Sequence, residues 1–421
     1  MNTYKKVILS NKLPVLFVPV KGAKISTVLI IFKTGSKYET RENSGLAHFI
    51  EHMFFKGTKK RPNTLALSSE LDSLGGEFNA FTAKEFTGYL FKVTNNKLAK
   101  ALGILNDMLI NSKFEAEEID RERGVIIEEL NMYEDNPRMH IEDIFEMCLY
   151  GDTPAGRETT GSKENLLRFK REDFINFLDK QYGAQSANII VAGAIAKHDK
   201  KLLAKLFSNL KNNKRSPKEA VTENQKTPAL KVSPKKTDQL FLSLGVRTVK
   251  INHADEFKLR LLSIILGGSM SSRLFISLRE RNSLAYSVNT HTEFYSDSGY
   301  LTTEAGVPAG KIEKAIKIIL AEYKNISQEL VPLKEIKRAK DILQGKVLLQ
   351  LESSDDIAYW YGQQAIYRKT PLTPGNLVKK INKIGALELR AAAKKYFVNR
   401  GLNLAIIGDV KEVKIKPILK F

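Results

Sequence analysis

The sequence predicts an α+β protein made of two homologous halves, each a mainly antiparallel sheet packed with helices. Two observations predict it. Short apolar runs bounded by turn residues alternate with stretches whose apolar residues recur at helical spacing. The second half also repeats the first. Lys180-Gln-Tyr-Gly-Ala-Gln-Ser-Ala-Asn-Ile-Ile-Val-Ala-Gly parallels Lys395-Tyr-Phe-Val-Asn-Arg-Gly-Leu-Asn-Leu-Ala-Ile-Ile-Gly, and Glu118-Ile-Asp-Arg-Glu-Arg-Gly-Val-Ile-Ile-Glu-Glu parallels Glu335-Ile-Lys-Arg-Ala-Lys-Asp-Ile-Leu-Gln-Gly-Lys. A repeat of about 200 residues implies a duplicated unit. The polar residues 208–238, carrying Pro217, Pro228 and Pro234, read as a linker. The expected organisation is a first domain over 1–210, a linker over 211–237 and a second domain over 238–421.

Taken in order, residues 7–9, 15–20 and 26–33 read as strands, the second and third apolar enough to be covered. Residues 46–55 follow as a helix: no Gly or Pro interrupts them, and Leu46, Phe49, Ile50, Met53 and Phe54 recur at helical spacing. Asn43 or Ser44 is placed to cap its start. Residues 64–74 form a second helix, stopped by Gly75-Gly76, and 77–93 form two strands. A helix over 95–111 carries Leu98, Leu102, Ile104, Leu105 and Leu109. Another runs from 115 to about 133, with acidic residues in its first turn, where they suit the helix dipole. In the second half, 266–286 reads as helix then strand.

Composition narrows the function classes. With 43% hydrophobic residues over 421 positions, the chain buries real cores. The net charge of +20 is scattered, with no long basic run and no interleaved aromatics. It reads as a Lys-rich solvated surface, which argues against a nucleic-acid binder. Cys148 is the only cysteine, so no intrachain disulfide forms, and its neighbours Met147, Leu149 and Tyr150 suggest a buried thiol. No run of 18 apolar residues exists, and the start lacks a signal-peptide run. The expectation is a soluble cytoplasmic protein without a membrane partner.

The chemistry concentrates in Gly45-Leu-Ala-His-Phe-Ile-Glu-His-Met-Phe-Phe. At about 100° per residue, His48 and His52 sit roughly 40° apart on one helix face. Two imidazoles so placed can hold one divalent metal, with Glu51 beside them to face a metal-bound water; the pattern is H-x-x-E-H. A peptidase zinc needs a third protein ligand and an open position. In Glu122-Arg-Gly-Val-Ile-Ile-Glu-Glu, Glu122 and Glu129 are two turns apart and share a helix face within about 20°. The apolar residues around them suggest enclosure, and a buried carboxylate wants a partner.

H-x-x-E-H followed about 76 residues later by Glu129 resembles the pitrilysin-like zinc metallopeptidases, which include insulin-degrading enzyme and the mitochondrial processing peptidase. Gly35-Ser-Lys-Tyr-Glu, Asn79-Ala-Phe-Thr-Ala-Lys-Glu-Phe-Thr and Leu278-Arg-Glu-Arg-Asn-Ser-Leu-Ala-Tyr-Ser-Val look like further blocks of that family. Length and style suit its smaller, bacterial processing-peptidase-like branch. The resemblance implies one Zn²⁺ per chain on His48, His52 and Glu129, with Glu51 as general base. Glu122 would orient His52 or a bound water. Asn79, Ala80, Phe81 and Thr82 would form the edge strand that receives a peptide, and Glu85 would be structural. Arg279 and Tyr286 would reach substrate from the facing domain; a guanidinium and a phenol are both donors to a developing oxyanion.

In the repeat, Glu122 aligns with Ala339 and Glu129 with Lys346, so the second half is expected to hold no metal. Larger relatives close a chamber with four such domains, so a homodimer is expected here, with Arg279 and Tyr286 serving the partner's zinc. The expected substrates are unfolded peptides or oligopeptides. The alternatives are a non-catalytic assembly subunit of the family or a presequence-type processing peptidase. Ala155 and Asn282-Ser283 depart from common family residues. His140, His198, His253 and His291 read as ordinary.

Overall fold

The repeat is visible in how the strands pair. The computed structural model describes residues 3–421. β1 (Lys5–Ile8), β2 (Pro14–Pro19), β3 (Ile25–Phe32), β4 (Glu77–Thr82), β5 (Thr87–Thr94) and β6 (Ala187–Gly193) form a six-stranded sheet in the order β1-β2-β6-β3-β5-β4. β7 (Ala229–Ser233), β8 (Gln239–Arg247), β9 (Val288–Phe294), β10 (Gly299–Pro308) and β11 (Leu402–Ile407) form a five-stranded sheet in the order β7-β11-β8-β10-β9. With β1 set aside, the orders coincide: β2 answers to β7, β6 to β11, β3 to β8, β5 to β10 and β4 to β9. In each sheet the equivalent pair is parallel, β2 with β6 and β7 with β11, and the pairs that follow are antiparallel. The expected duplicated α+β fold is the one observed.

The first half carries the helices α1 (Leu46–Met53), α2 (Thr64–Asp72), α3 (Leu98–Asn111), α4 (Ala116–Asp135) and α5 (Pro137–Tyr150), followed by Lys163–Arg168, Arg171–Gln181 and Lys197–Phe207. Two compact units emerge, and neither is contiguous in sequence. One comprises 1–130, 158–219 and 348–374; the other comprises 131–157, 220–347 and 375–421. In the first unit, Val28, Ile30 and Phe32 of β3 join the core that contains Phe49, Ile50 and Met53 of α1. The alternate residues Leu29 and Ile31 pack with Ile357, Ala358 and Tyr361 of the helix Ser354–Tyr367. Because both faces are covered, β3 reads as one apolar run. Gly362 permits the approach: a Cβ there would lie 2.7 Å from Leu29 Cδ2. In the second unit α5 plays this part, with Phe145 and Leu149 in a core shared with Tyr300, Ala405 and Ile407.

Three local expectations are corrected. The start of α1 is capped by neither Asn43 nor Ser44. Gly45 occupies the N-cap with φ 98°, in the left-handed region that favours glycine. The Glu39 carboxylate accepts from Gly45 N (2.9 Å) and Ala47 N (2.7 Å), a negative charge on the positive end of the helix. Residues 229–233, inside the polar stretch read as linker, form β7, because backbone pairing with β11 needs no apolar side chains. In 266–286 the first helix ends at Gly267, a separate helical turn covers Phe275–Glu280, and Tyr286 sits in the loop before β9. Cys148 is half-buried, its Sγ 3.7 Å from the Leu404 carbonyl, and burial pushes the thiol up to about 11.

Candidate metal centre

α1 is anchored by its apolar face: Phe49 and Ile50 are fully buried, and Phe49 meets Phe174 edge-on at 4.9 Å. That anchoring turns His48 and His52 together toward α4, with ring centroids 4.7 Å apart. α4 is held by buried Ile119, Ile126 and Leu130, and it presents Glu122 and Glu129 to the two imidazoles. Glu129 Oε2 lies 3.7 Å from His48 Nε2 and 3.4 Å from His52 Nε2. A tetrahedral ion with bonds of about 2.0–2.2 Å spaces its donors by about 3.3–3.6 Å. The two nitrogens and the carboxylate, all within 4.8 Å of one another, fit a zinc-sized cation by donor type and by spacing.

The surroundings distinguish the two histidines. His52 Nδ1 is 2.9 Å from Glu122 Oε1, and the other oxygen of Glu122 lies 2.5 Å from Lys56 Nζ. Glu122 is therefore hydrogen-bonded to His52, as one of its two expected roles requires. A carboxylate on Nδ1 fixes the tautomer that leaves Nε2 for a metal. His48 Nδ1 is buried without a hydrogen-bond partner among the described residues, so packing holds that side of the ring. Burial and the neighbouring His52 hold His48 down to about 4, which keeps its lone pair available. Burial opposes protonation of His52 too, but hydrogen bonds to Glu122 and Glu129 raise it to about 9. Both carboxylates thus favour positive charge at His52. Replacing Glu122 with Gln weakens that anchor, and zinc affinity is expected to fall about 10–100-fold, read by competition with a chromophoric chelator.

Glu51 is not one of the three convergent donors. Its Oε2 accepts from Thr82 Oγ1 at 2.5 Å, at the end of β4. Burial raises the Glu51 carboxyl above its ordinary value, and the Thr82 bond offsets this in part. A raised carboxyl is the better proton acceptor. β4 is the terminal strand of its sheet, so Asn79, Ala80, Phe81 and Thr82 lie on an edge. The turn after it is fastened by Lys37 Nζ on Glu85 Oε1 (3.1 Å), an ion pair with 0% and 1% side-chain exposure, and Lys218 Nζ lies 3.4 Å from the same oxygen.

Arg279 and Tyr286 belong to the second unit, and there they meet. The guanidinium lies 5.0 Å from the centre of the Tyr286 ring and donates to the Tyr286 carbonyl at 3.1 Å. Tyr286 is 80% exposed, so its phenol is presented to solvent rather than packed in a core. Sequence reasoning missed Lys56 and Glu39. Lys56 lies four residues after His52 but three past the end of α1, so the turn after the helix, not a helical face, brings it to Glu122. No helix among the described residues is long and apolar enough to cross a membrane.

Comparison with known proteins gives the family. Residues 15–163 match the family described as insulinase (peptidase family M16), and residues 168–343 match the peptidase M16 inactive domain. The chain is 35% identical over 399 residues to an uncharacterized zinc protease of Rickettsia felis, covering 92% of this chain and 94% of the relative. It is 32% identical over 365 residues to the uncharacterized zinc protease YmxG of Bacillus subtilis, covering 86% and 88%. In fold it is similar to a protease from Helicobacter pylori, with TM-score 0.90 and 22% identity over 97% of this chain and all of that one. The peptidase M16 inactive domain from Pseudomonas fluorescens gives TM-score 0.89 at 18% identity, over 97% and 99%. Relatives of such identity along nearly their whole length, and a family match in both halves, mean that this chain belongs to the pitrilysin-like zinc metallopeptidases, peptidase family M16.

Proposed function

We propose that the protein is a zinc-dependent endopeptidase that hydrolyses unfolded peptides or oligopeptides in a chamber completed by a second copy. The observation that carries this is the convergence of His48, His52 and Glu129, with Glu51 held beside them by Thr82. When bound, Zn²⁺ supplies Lewis acidity to a water and to the peptide carbonyl. The residues of the chain do the rest. Glu51 accepts the proton of the attacking water and delivers it to the leaving amine. Glu122 keeps His52 in one tautomer. The edge of β4 receives the peptide as an added strand, through main-chain bonds that tolerate many sequences. Arg279 and Tyr286 offer donors to the developing oxyanion, from the partner copy. The second half lacks the peptidase ligands at the repeat-equivalent positions, where Ala339 and Lys346 stand.

Digestion of a mixed peptide library by the zinc-loaded chain is expected to yield internal cleavage products, abolished by a chelator and restored by Zn²⁺. Intact peptides after prolonged incubation would sink the reading. Service in trans has its own test. Mixing Glu51→Gln chains with Tyr286→Phe chains, each nearly inactive alone, is expected to recover about a quarter of wild-type activity, because half the dimers are mixed and each then holds one complete site. Activity that stays at the level of the separate variants means each chain uses its own tyrosine.

A further inference from the structure

A second convergence of metal-ligand side chains lies in the other unit, far along the sequence from H-x-x-E-H. Among the described residues, the same spacing that groups His48, His52 and Glu129 also groups Glu142, His291 and Glu304, with donor atoms within 4.8 Å of one another. The fold explains why they meet. In the β9–β10 register Thr302 faces His291 and Glu304 faces Asn289. His291 and Glu304 are therefore diagonal neighbours on one face of the sheet, within reach of each other's side chains. Glu142 and Glu146 are one turn apart on α5 and face the same surface. Glu142 is fixed there by Tyr300 Oη at 2.8 Å, and Glu146 by Tyr300 Oη at 3.2 Å and by Tyr295 Oη. His291 Nε2 lies 3.4 Å from Glu142 Oε1, while its Nδ1 is 3.5 Å from the Asn289 side-chain amide. One ring nitrogen faces the carboxylates and the other lies beside the Asn289 amide.

The charge in this place is out of balance. Glu142 acts electrostatically on Glu293 and Glu304, and Glu146 on Glu293, around one imidazole. The cations nearby act through space: Arg138 on Glu304 and Arg260 on Glu293. No hydrogen bond or ion pair among the described residues reaches the carboxylate of Glu304 or Glu293, although both residues are half-buried. Carboxylates so withdrawn call for a counter-charge. A cavity of about 100 Å³ adjoins the group, lined in part by Glu304, Arg138, Ser287 and Asn289, with room for an ion and its waters. Donor–donor spacings around a first-row ion are about 3–4 Å, and the 3.4 Å between His291 Nε2 and Glu142 Oε1 already falls in that range.

We propose that Glu142, His291 and Glu304 bind a second divalent first-row cation, distinct from the ion of the peptidase site. Two carboxylates and one imidazole make a harder donor set than His48, His52 and Glu129, suited to Mn²⁺ as well as Zn²⁺. The site ties α5 to the β9 edge within one unit, and the peptidase reading does not enter the inference.

The test is a metal count on the full chain, stripped of metal, reloaded with Zn²⁺ or Mn²⁺ and freed of excess. Plasma mass spectrometry is expected to find two ions per wild-type chain with at least one of the two metals. His291→Ala and the near-isosteric Glu304→Gln are each expected to hold one. His48→Ala is also expected to hold one, and His48→Ala with His291→Ala none. A single ion per wild-type chain with both metals overturns the proposal, as does a second ion that persists in both His291→Ala and Glu304→Gln. Circular dichroism of each variant shows that a lost ion reflects a lost ligand rather than a lost fold. Because the counts are taken without substrate, an inactive but doubly loaded chain leaves this site standing and removes only the peptidase reading.

Discussion

Glu51→Gln is expected to lower kcat/KM for peptide cleavage by about 10²–10⁴-fold while the chain still binds zinc. The geometry separates the two properties. The cation is assigned to His48, His52 and Glu129, whose donor atoms converge without Glu51. Glutamine keeps the side-chain length and an oxygen to accept the 2.5 Å bond from Thr82, so α1 and the end of β4 stay in place. What is lost is the lone pair that takes a proton, because an amide at neutral pH is no base. Peptide turnover and metal content measured on one preparation check this. Wild-type turnover in the variant would remove Glu51 from the mechanism. Zinc lost together with activity would mean that Glu51 shapes the metal site instead.

Glu85→Ala is expected to destabilise the first unit by about 3–5 kcal/mol, the usual result of removing one partner of a buried ion pair. Lys37 has no side-chain exposure and sits 3.1 Å from Glu85, so the substitution takes the carboxylate from a buried ammonium. For a unit of this size the corresponding fall in Tm is about 10 °C. The double variant Lys37→Met with Glu85→Leu is expected to lose less than Glu85→Ala alone, because the fully buried ammonium goes with the carboxylate and the charge that stays, Lys218, is 11% exposed. Urea unfolding of the three proteins decides it. The pair carries functional weight too. Lys37 N donates to the Lys84 carbonyl at 2.8 Å and Ser36 N to the Ala83 carbonyl at 3.2 Å, so this turn fixes the chain just beyond Thr82, the residue that holds Glu51.

Much of this was legible from sequence for a physical reason. A helix places residues three and four apart on one face, so spacing alone put His48, Glu51 and His52 together. The two strands in 77–93 and the long helix carrying Glu122 and Glu129 announced themselves by period and end signals. The cap of α1 did not. Glu39 reaches Gly45 and Ala47 from six and eight residues away, outside the window in which capping patterns are read. His291 read as ordinary because its neighbours Glu142 and Glu304 come from a distant helix and an adjoining strand.

By itself the sequence determined the duplicated α+β plan, the imidazole pair and its neighbouring acid, since these follow from local periodicity and from repetition. Which carboxylate faces which imidazole was decided only when α4 packed beside α1, setting Glu122 on Nδ1 of His52 and Glu129 between the two Nε2 atoms. Tertiary structure also decided that each sheet is covered by a helix from the other half of the chain, Ser354–Tyr367 on one and α5 on the other. An amphipathic stripe specifies that a face must be buried but carries no address, and only the packed sheets supply the surface that receives it.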